Sequence, residues 1–209
     1  MHILAIENST STGSIALWCN GEVLFEESFI GRRGQGSLLF ETLQRCLKKK
    51  QGGLDRIAIG TGPGSYNGIR IALAAGKGIQ LVEECGFVAL SSSLCLAVDS
   101  PEYIWFGDAR AGQFHFSRIS NRAFQDAPRL VTPEELSLLL SKAGCPAFSD
   151  ITHEGLGADY QVVAPSAKIL AELSVDSPLE KNMPEPIYLK PPHITISRNP
   201  QSCIPTRSG

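Results

Sequence analysis

Between Ile57 and Ile79 the chain reads IAIGTGPGSYNGIRIALAAGKGI, and few folds accommodate that order of residues. A short apolar run, Ile57-Ala58-Ile59, ends in a glycine-rich corner, Gly60-Thr61-Gly62-Pro63-Gly64-Ser65, and helix-forming sequence follows from Tyr66. A strand, a tight corner and a helix in that order aim a helix N-terminus, with its unpaired N–H groups, at whatever lies beyond the strand end. The helix carries a second signature. Gly68, Ala72 and Gly76 recur every four residues, a row of small side chains along one face that lets another backbone come close. Two readings compete: a phosphate cradle and a close-packing helix.

The rest of the chain narrows the class. At 209 residues, 43% hydrophobic and 19% charged, it has the composition of a globular protein with an ample core rather than of a disordered one. A net charge of −2 supplies no global field toward nucleic acid or an anionic membrane, so strong unaided tRNA binding is not expected. No apolar run approaches the roughly 18 residues of a membrane span, and Met1 leads straight into Ile3-Leu4-Ala5-Ile6 without a signal-like region, which predicts a cytoplasmic protein. The six cysteines show no C-x-x-C pair and read as reduced core thiols. The four histidines, His2, His115, His153 and His193, form no H-x-x-H or H-x-x-x-H pair, so no metal site is expected.

Hydrophobic periodicity orders the elements. Residues 3–8 read as a buried strand; Ser14 to Trp18 and Val23 to Phe29 read as two more, joined by the hairpin dipeptide Asn20-Gly21. A glycine-rich loop, Gly31 to Gly36, carries Arg32 and Arg33. A helix runs from Ser37 to about Lys50 on Leu38, Leu39, Leu43, Cys46 and Leu47, stopped by Gly52-Gly53. Asp55 to Ile59 is the fourth strand, the helix from Tyr66 runs to about Glu84, and Phe87 to Leu90 is the fifth strand, with a short helix at 91–97. The order βββαβαβ is that of the ribonuclease H-like unit of the actin-like ATPase superfamily. The second half begins again as YIWFGDARAGQFHF beside ILAIENSTSTGSIALW, followed by a helix from Thr132 and Pro133 to about Ala143, strands at 146–148 and 160–163, and a helix at 166–174. The expected fold is therefore α/β with two ribonuclease H-like lobes, the second shortened. Its expected domains are 1–99 and 100–209, the latter ending in an irregular tail from Asp176.

Few residues propose chemistry. Glu7 and Thr10, within ENSTSTGS, resemble the first phosphate-binding turn of actin-like kinases, and Asp108 with Arg110 would face it from the second lobe as a vestigial nucleotide site. A tight hairpin whose hydroxyls satisfy its own backbone is the competing reading for the first turn, and a structural ion pair for the second. On a strand Asp108 and Arg110 would share a face. Ser65 lacks the G-x-S-x-G elbow and any base placed by sequence, so it reads as a helix cap. Arg70 and Lys77 read as solvated or interface charges.

Four segments in this order, ILAIENSTSTGSIAL, DRIAIGTGPGSYNGIRIALAAGKG, DARAGQFHF and PIYLKPP, resemble the TsaB (YeaZ) family, the bacterial actin-like partner in threonylcarbamoyladenosine tRNA modification and often labelled a glycoprotease homologue. The resemblance covers most of the chain, best over residues 1–98. It implies a non-catalytic scaffold or activator subunit that pairs with a TsaD-like catalytic subunit for N6-threonylcarbamoyladenosine formation at tRNA position 37. It further implies a TsaE-like ATPase as third component, ATP or ADP and a metal in those partners rather than in this chain, and a homodimer when the TsaD-like subunit is absent. The family's interface helices map to about 36–50 and 66–84. That nominates Leu38, Leu39, Thr42, Leu43 and Cys46 on the first, and Gly68, Ile69, Ala72, Leu73, Gly76 and Lys77 on the second. Family members usually carry Asp-Thr where this chain has Glu7-Asn8, and a histidine near Gly34, which weakens a nucleotide role for the first lobe. The alternative is an actin-like ATPase or small-molecule kinase acting alone through Glu7 and Asp108; proteolysis finds no nucleophile–base pair or metal motif. The glycine corner then reads as the turn that launches the helix, with the face served by the Gly68-Ala72-Gly76 row left open.

Overall fold

The computed structural model describes residues 1–31 and 37–190. The loop read at 31–36 and the segment from 191 onward, with His193 and Cys203, lie otherwise outside the described residues. In the first lobe β1 (His2–Glu7) is central. It pairs antiparallel with β2 (Thr12–Cys19), which pairs with β3 (Glu22–Ile30), and on its other side β4 (Arg56–Gly60) and β5 (Gly86–Leu90) run parallel to it. Asn20 and Gly21 take φ of 47° and 98°, the left-handed pair that a two-residue hairpin turn requires.

Both faces of this sheet are covered, which is why Ile3-Leu4-Ala5-Ile6 is apolar without alternation. On one face Leu4, Ile6, Ile15, Leu17, Ile57 and Ile59 meet α1 (Ser37–Leu47) and α2 (Tyr66–Glu83). On the other, the smaller Ala5, Ala16 and Ala58 meet Ala167, Leu170 and Ala171 of α4 (Ala167–Ser174). Small side chains on both partners let this short helix lie close to the strands.

The second sheet repeats the plan. Its strands are β6 (Glu102–Asp108), β7 (Phe114–Ser120), β8 (Ala123–Val131), β9 (Ala147–Ser149) and β10 (Gln161–Val162), in the order β10-β9-β6-β7-β8. Strand for strand this is the order of the first sheet, β5-β4-β1-β2-β3. The helix α3 (Pro133–Ser141) covers one face, its cap Thr132 accepting the Glu135 N–H at 3.2 Å. Where α2 links β4 to β5, turns link β9 to β10: the second lobe is shortened by one helix. Its other face, with Tyr103, Trp105, Ile119 and Phe148, packs on Leu94, Leu96 and Val98 of the segment between lobes. That segment forms only a single short 3-10 turn, Ser92–Leu94, where a helix over 91–97 was expected.

Two further features depart from the sequence reading. β8 was not anticipated, because an edge strand exposed along most of its length shows no buried alternation, and its Pro128 reads as a strand breaker although an edge tolerates it. The division at 99/100 does not describe the packing of the chain from residue 167: α4 and the described residues after it return to the first lobe. Ala167 N–H donates to Ser14 Oγ at 2.9 Å, the Arg56 guanidinium donates to the carbonyls of Ser174 and Ser177 at 2.7 Å each, and Glu180 N–H donates to Phe87 O at 2.8 Å.

The small-residue row of α2 faces inward. Ala72 is fully buried, and a Cβ added to Gly76 would lie 2.9 Å from Ile59 Cδ1, 3.0 Å from Phe87 Cζ and 3.3 Å from Ile57 Cγ2. An added Cβ at Gly78 meets nothing within 4 Å. Gly76→Val should therefore lower stability by about 1–3 kcal/mol through overpacking, whereas Gly78→Ala should raise it by about 0.5–1 kcal/mol through helix propensity alone. Denaturant midpoints of the two variants check the contrast; a destabilised Gly78→Ala would mean that this face of α2 is already covered.

Candidate functional site

The turns that follow β1, β4 and β6 are where a fold of this type would hold a ligand, beyond the carboxyl ends of its parallel strands. In the first lobe that place is filled by the protein itself. Glu7 is fully buried; one carboxylate oxygen accepts the Ser9 N–H at 2.8 Å, and the other accepts the Ser92 hydroxyl at 2.8 Å. Ser92 Oγ in turn accepts the Gly62 N–H at 3.0 Å. Burial pushes the Glu7 carboxyl above its ordinary value, while the hydrogen bonds from Ser9 and Ser92 pull the other way. Gly60 makes the room: a Cβ there would fall 1.7 Å from Glu7 Oε2.

The glycine corner is closed in the same manner. A Cβ at Gly64 would lie 2.1 Å from Ser9 O, and one at Gly68 would lie 2.1 Å from Asn8 O. Ser65 N–H donates to Ser9 O at 2.6 Å, Asn8 Nδ2 donates to Gly68 O at 3.0 Å, and Ser65 Oγ caps α2 by accepting the Gly68 N–H at 3.2 Å. The carbonyls of Asn8 and Ser9 thus press against the corner and the first turn of α2. Thr10 folds onto its own turn, its hydroxyl donating to Thr12 O at 2.9 Å and accepting the Thr12 N–H at 3.3 Å. The cradle proposed at 60–65 is a backbone-to-backbone contact.

The second-lobe turn offers acceptors rather than an anion cradle. Arg110, Ala111 and Gly112 take φ of 61°, 53° and 69°, so Asp108 and Arg110 do not share a strand face as expected. The exposed Asp108 carboxylate accepts the Arg110 backbone N–H at 2.6 Å instead, an Asx turn, and among the described residues the two side chains form no ion pair. The carbonyls of Ala109 and Arg110 accept from Lys190 Nζ at 3.2 and 2.8 Å. Beside the turn, His115 and Asp150 share the space over Gly107, where an added Cβ would meet His115 Nε2 at 2.5 Å and Asp150 Oδ1 at 3.0 Å. Burial, with His153 nearby, pushes His115 down to about 4, and burial raises Asp150. Among the described residues no group of three or more His, Cys, Asp and Glu is arranged to hold a metal ion.

The helix pair needs a correction of residues. Of the nominated interface positions, Leu39, Thr42, Leu43 and Cys46 on α1 and Ile69, Ala72, Leu73 and Gly76 on α2 are buried against the lobe's own sheet. Leu38 and Gly68 are half-buried, and Lys77 alone is exposed. The outward surface is made by other residues: Phe40 and Gln44 on α1 with Lys48 just after it, and Arg70, Ala74, Leu81 and Val82 on α2. Leu81 and Val82 are 70% and 80% exposed, unusual for large aliphatic side chains. Phe40, Gln44, Leu47 and Lys48, with the edge of Leu43, border an open depression of about 370 Å³. Periodicity marks which side of a helix is apolar, and that is the side its own sheet takes; the outward Leu81-Val82 pair lies off that stripe, and only its apolar character in an exposed register would have signalled it.

No family model matches the chain. The chain is 31% identical over 100 residues to the tRNA threonylcarbamoyladenosine biosynthesis protein TsaB of Escherichia coli, a match that spans 46% of this chain and only 43% of that protein. Its similarity to the protein of the same name from Haemophilus influenzae is 23% identity over 90% of this chain and 93% of that one. Among solved structures, a Pseudomonas aeruginosa protein described as similar to the peptidase YEAZ superposes with a TM-score of 0.72 at 18% identity, over 90% of this chain and 99% of that one. YeaZ from Pseudomonas aeruginosa superposes at 0.66, also at 18% identity, over 83% and 91%. At that identity the two structures speak for the fold.

The buried carboxyl gives a signed test. A carboxyl raised above its unfolded value costs stability where it is ionised, and that cost disappears as pH falls through its folded value. Glu7→Gln keeps the shape without the charge, so it should melt roughly 2–4 °C above the parent near pH 7 for each ~1 kcal/mol relieved. The two melting curves should converge below the ordinary carboxylate range; a constant offset at every pH would show that Glu7 is not the titrating group.

Proposed function

We propose that the chain is a member of the TsaB (YeaZ) family and, on that premise, a non-catalytic scaffold or activator subunit of tRNA threonylcarbamoyladenosine biosynthesis. It would act by pairing with a TsaD-like catalytic subunit through the outward face of α1 and α2, with a TsaE-like ATPase joining the assembly and a homodimer forming in the partner's absence. The observation that carries the reading is the closed strand-end site. Glu7 is spent on Ser9 and Ser92, the Asn8 and Ser9 carbonyls fill the glycine corner, and one oxygen of the exposed Asp108 carboxylate accepts from its own turn. A kinase or ATPase acting alone through Glu7 and Asp108 would have to break those contacts first. ATP or ADP and any metal are accordingly assigned to the partners. The exposed Leu81-Val82 pair and the depression beside Phe40 supply apolar surface of the kind that association buries.

Mixing decides the matter. Co-purified with the TsaD-like protein of the same cell, the chain should form a complex, and tRNA modification by that partner should depend on its presence, while the chain by itself should neither hydrolyse ATP nor modify tRNA. No complex together with unchanged modification would sink the proposal.

Within the complex, Val82→Glu places a charge on the outward face and should weaken association about tenfold or more, since burying an unpaired charge costs at least ~1.4 kcal/mol. Because Val82 is 80% exposed, the melting temperature of the isolated chain should not move. Titration calorimetry against the partner reads the first effect and a thermal melt the second. Unaltered affinity would take the interface off this end of α2.

A further inference from the structure

The segment after α4 was expected to be irregular; over the described residues 175–190 it forms no helix or strand, yet it is not loose. Its first part is fastened to the first lobe: Arg56 holds the carbonyls of Ser174 and Ser177, Leu179 packs over Gly86, and Glu180 N–H bonds Phe87 O on the open edge of β5. Residues 181–183 are exposed. The chain then makes three further attachments in four residues. Ile187 N–H donates to Thr61 O at 2.8 Å, on the glycine corner. The Tyr188 ring lies 5.3 Å from the ring of Tyr66, the first residue of α2, which also accepts from Arg70 at 2.8 Å. Lys190 Nζ reaches across to the second lobe and donates to the carbonyls of Ala109 and Arg110.

The lobes have another tie, the seam under the Ser92–Leu94 turn. There Tyr103 Oη donates to Ser93 O at 2.9 Å, and the Arg122 guanidinium donates to the carbonyls of Leu94 and Leu96 at 2.7 Å each. That seam is backed by the buried cluster of Leu96, Tyr103, Trp105, Ile119 and Phe148. The attachment at 187–190 joins none of the buried clusters: Ile187 and Leu189 are half-buried, Tyr188 is 47% exposed, and the hydrogen bonds to the second lobe are one ammonium on two carbonyls.

We propose that residues 187–190 are a releasable strap between the lobes. Seated, the strap links the glycine corner to the 108–112 turn and fixes the second lobe relative to α2; released, it leaves the lobes joined at the seam. Because Tyr66 is both the seat of Tyr188 and the start of α2, strap seating and anything that binds α2 bias each other, and the bias runs equally in both directions. The strap is a property of the chain alone, so its test needs no partner and stands apart from the proposed function.

The test is hydrogen exchange on the full chain. The turn has its own reporter amides, Ala109 N–H bonded to Gln113 O at 2.8 Å and Gln113 N–H bonded to Arg110 O at 3.3 Å. Lys190→Met removes the ammonium and keeps an unbranched apolar stem. It should speed exchange both at Ile187 and across 108–113 by about tenfold, the equivalent of one charge-assisted hydrogen bond, with β1, β4 and β6 unchanged. Lys190→Arg should restore the parent rates. Tyr188→Ala, at the other end of the strap, should also speed exchange across 108–113, because releasing one end unseats the other. Acceleration confined to the tail, or none, or a 108–113 turn indifferent to Tyr188→Ala, would each overturn the proposal.

Discussion

The structure depends on how closely α2 approaches the ends of β1 and β4. Three glycines and an alanine set that distance. Gly64 and Gly68 admit the carbonyls of Ser9 and Asn8, Ala72 lies fully buried, and Gly76 rests on Ile57, Ile59 and Phe87. Were any of the three glycines given a Cβ, backbone or core side chains would have to move, since the space is already at van der Waals limits. The same approach decides the chemistry. A helix N-terminus is an anion site when its N–H groups open on a cavity, and here the neighbouring turn has supplied its own carbonyls to that space. Closing the corner builds a rigid lobe and removes a phosphate cradle in one step.

That trade explains the fate of Glu7. A carboxylate at a strand end facing a cleft can bind a metal or activate a water; enclosed among Ser9, Ser92 and the glycine corner, the same group becomes an internal brace between β1 and the segment that leads into the second lobe. Its raised proton affinity follows from enclosure, as does the lowered affinity of His115 in the second lobe, and neither shift by itself signals a reaction. With the first lobe's strand-end site committed to internal bonds, the outward flank of α1 and α2 is left as exposed surface.

How much of this could be read in the sequence depends on how far apart the interacting residues are. The Asn20-Gly21 hairpin, the Ser65 and Thr132 caps and the glycine corner are set by neighbours within a few residues, and each is where the pattern puts it. The duplicated strand order was legible because each lobe builds its sheet largely from consecutive elements. The return of α4 to the first sheet was not, since an amphipathic helix announces that it has an apolar face and not which sheet will receive it. Most of the nominated interface residues face inward for a related reason. Leu39, Leu43, Ile69 and Leu73 are the strongest periodic signal on α1 and α2, and a lobe takes the strongest apolar stripe for its own core first.

The tail shows the same limit from the other side. Nothing in Pro186-Ile187-Tyr188-Leu189-Lys190 has a helix or strand period, so composition reads it as irregular. Its contacts are with Thr61, Tyr66, Ala109 and Arg110, between about 80 and 126 residues away in the chain, and they use a backbone N–H, a ring and an ammonium rather than a buried stripe. With Ile187 and Leu189 only half-buried and outside every buried cluster, the segment's free energy of release is small compared with that of a core element. A segment seated at once on Tyr66, the start of α2, and on the 108–112 turn is where a small free energy can alter the relation of the two lobes.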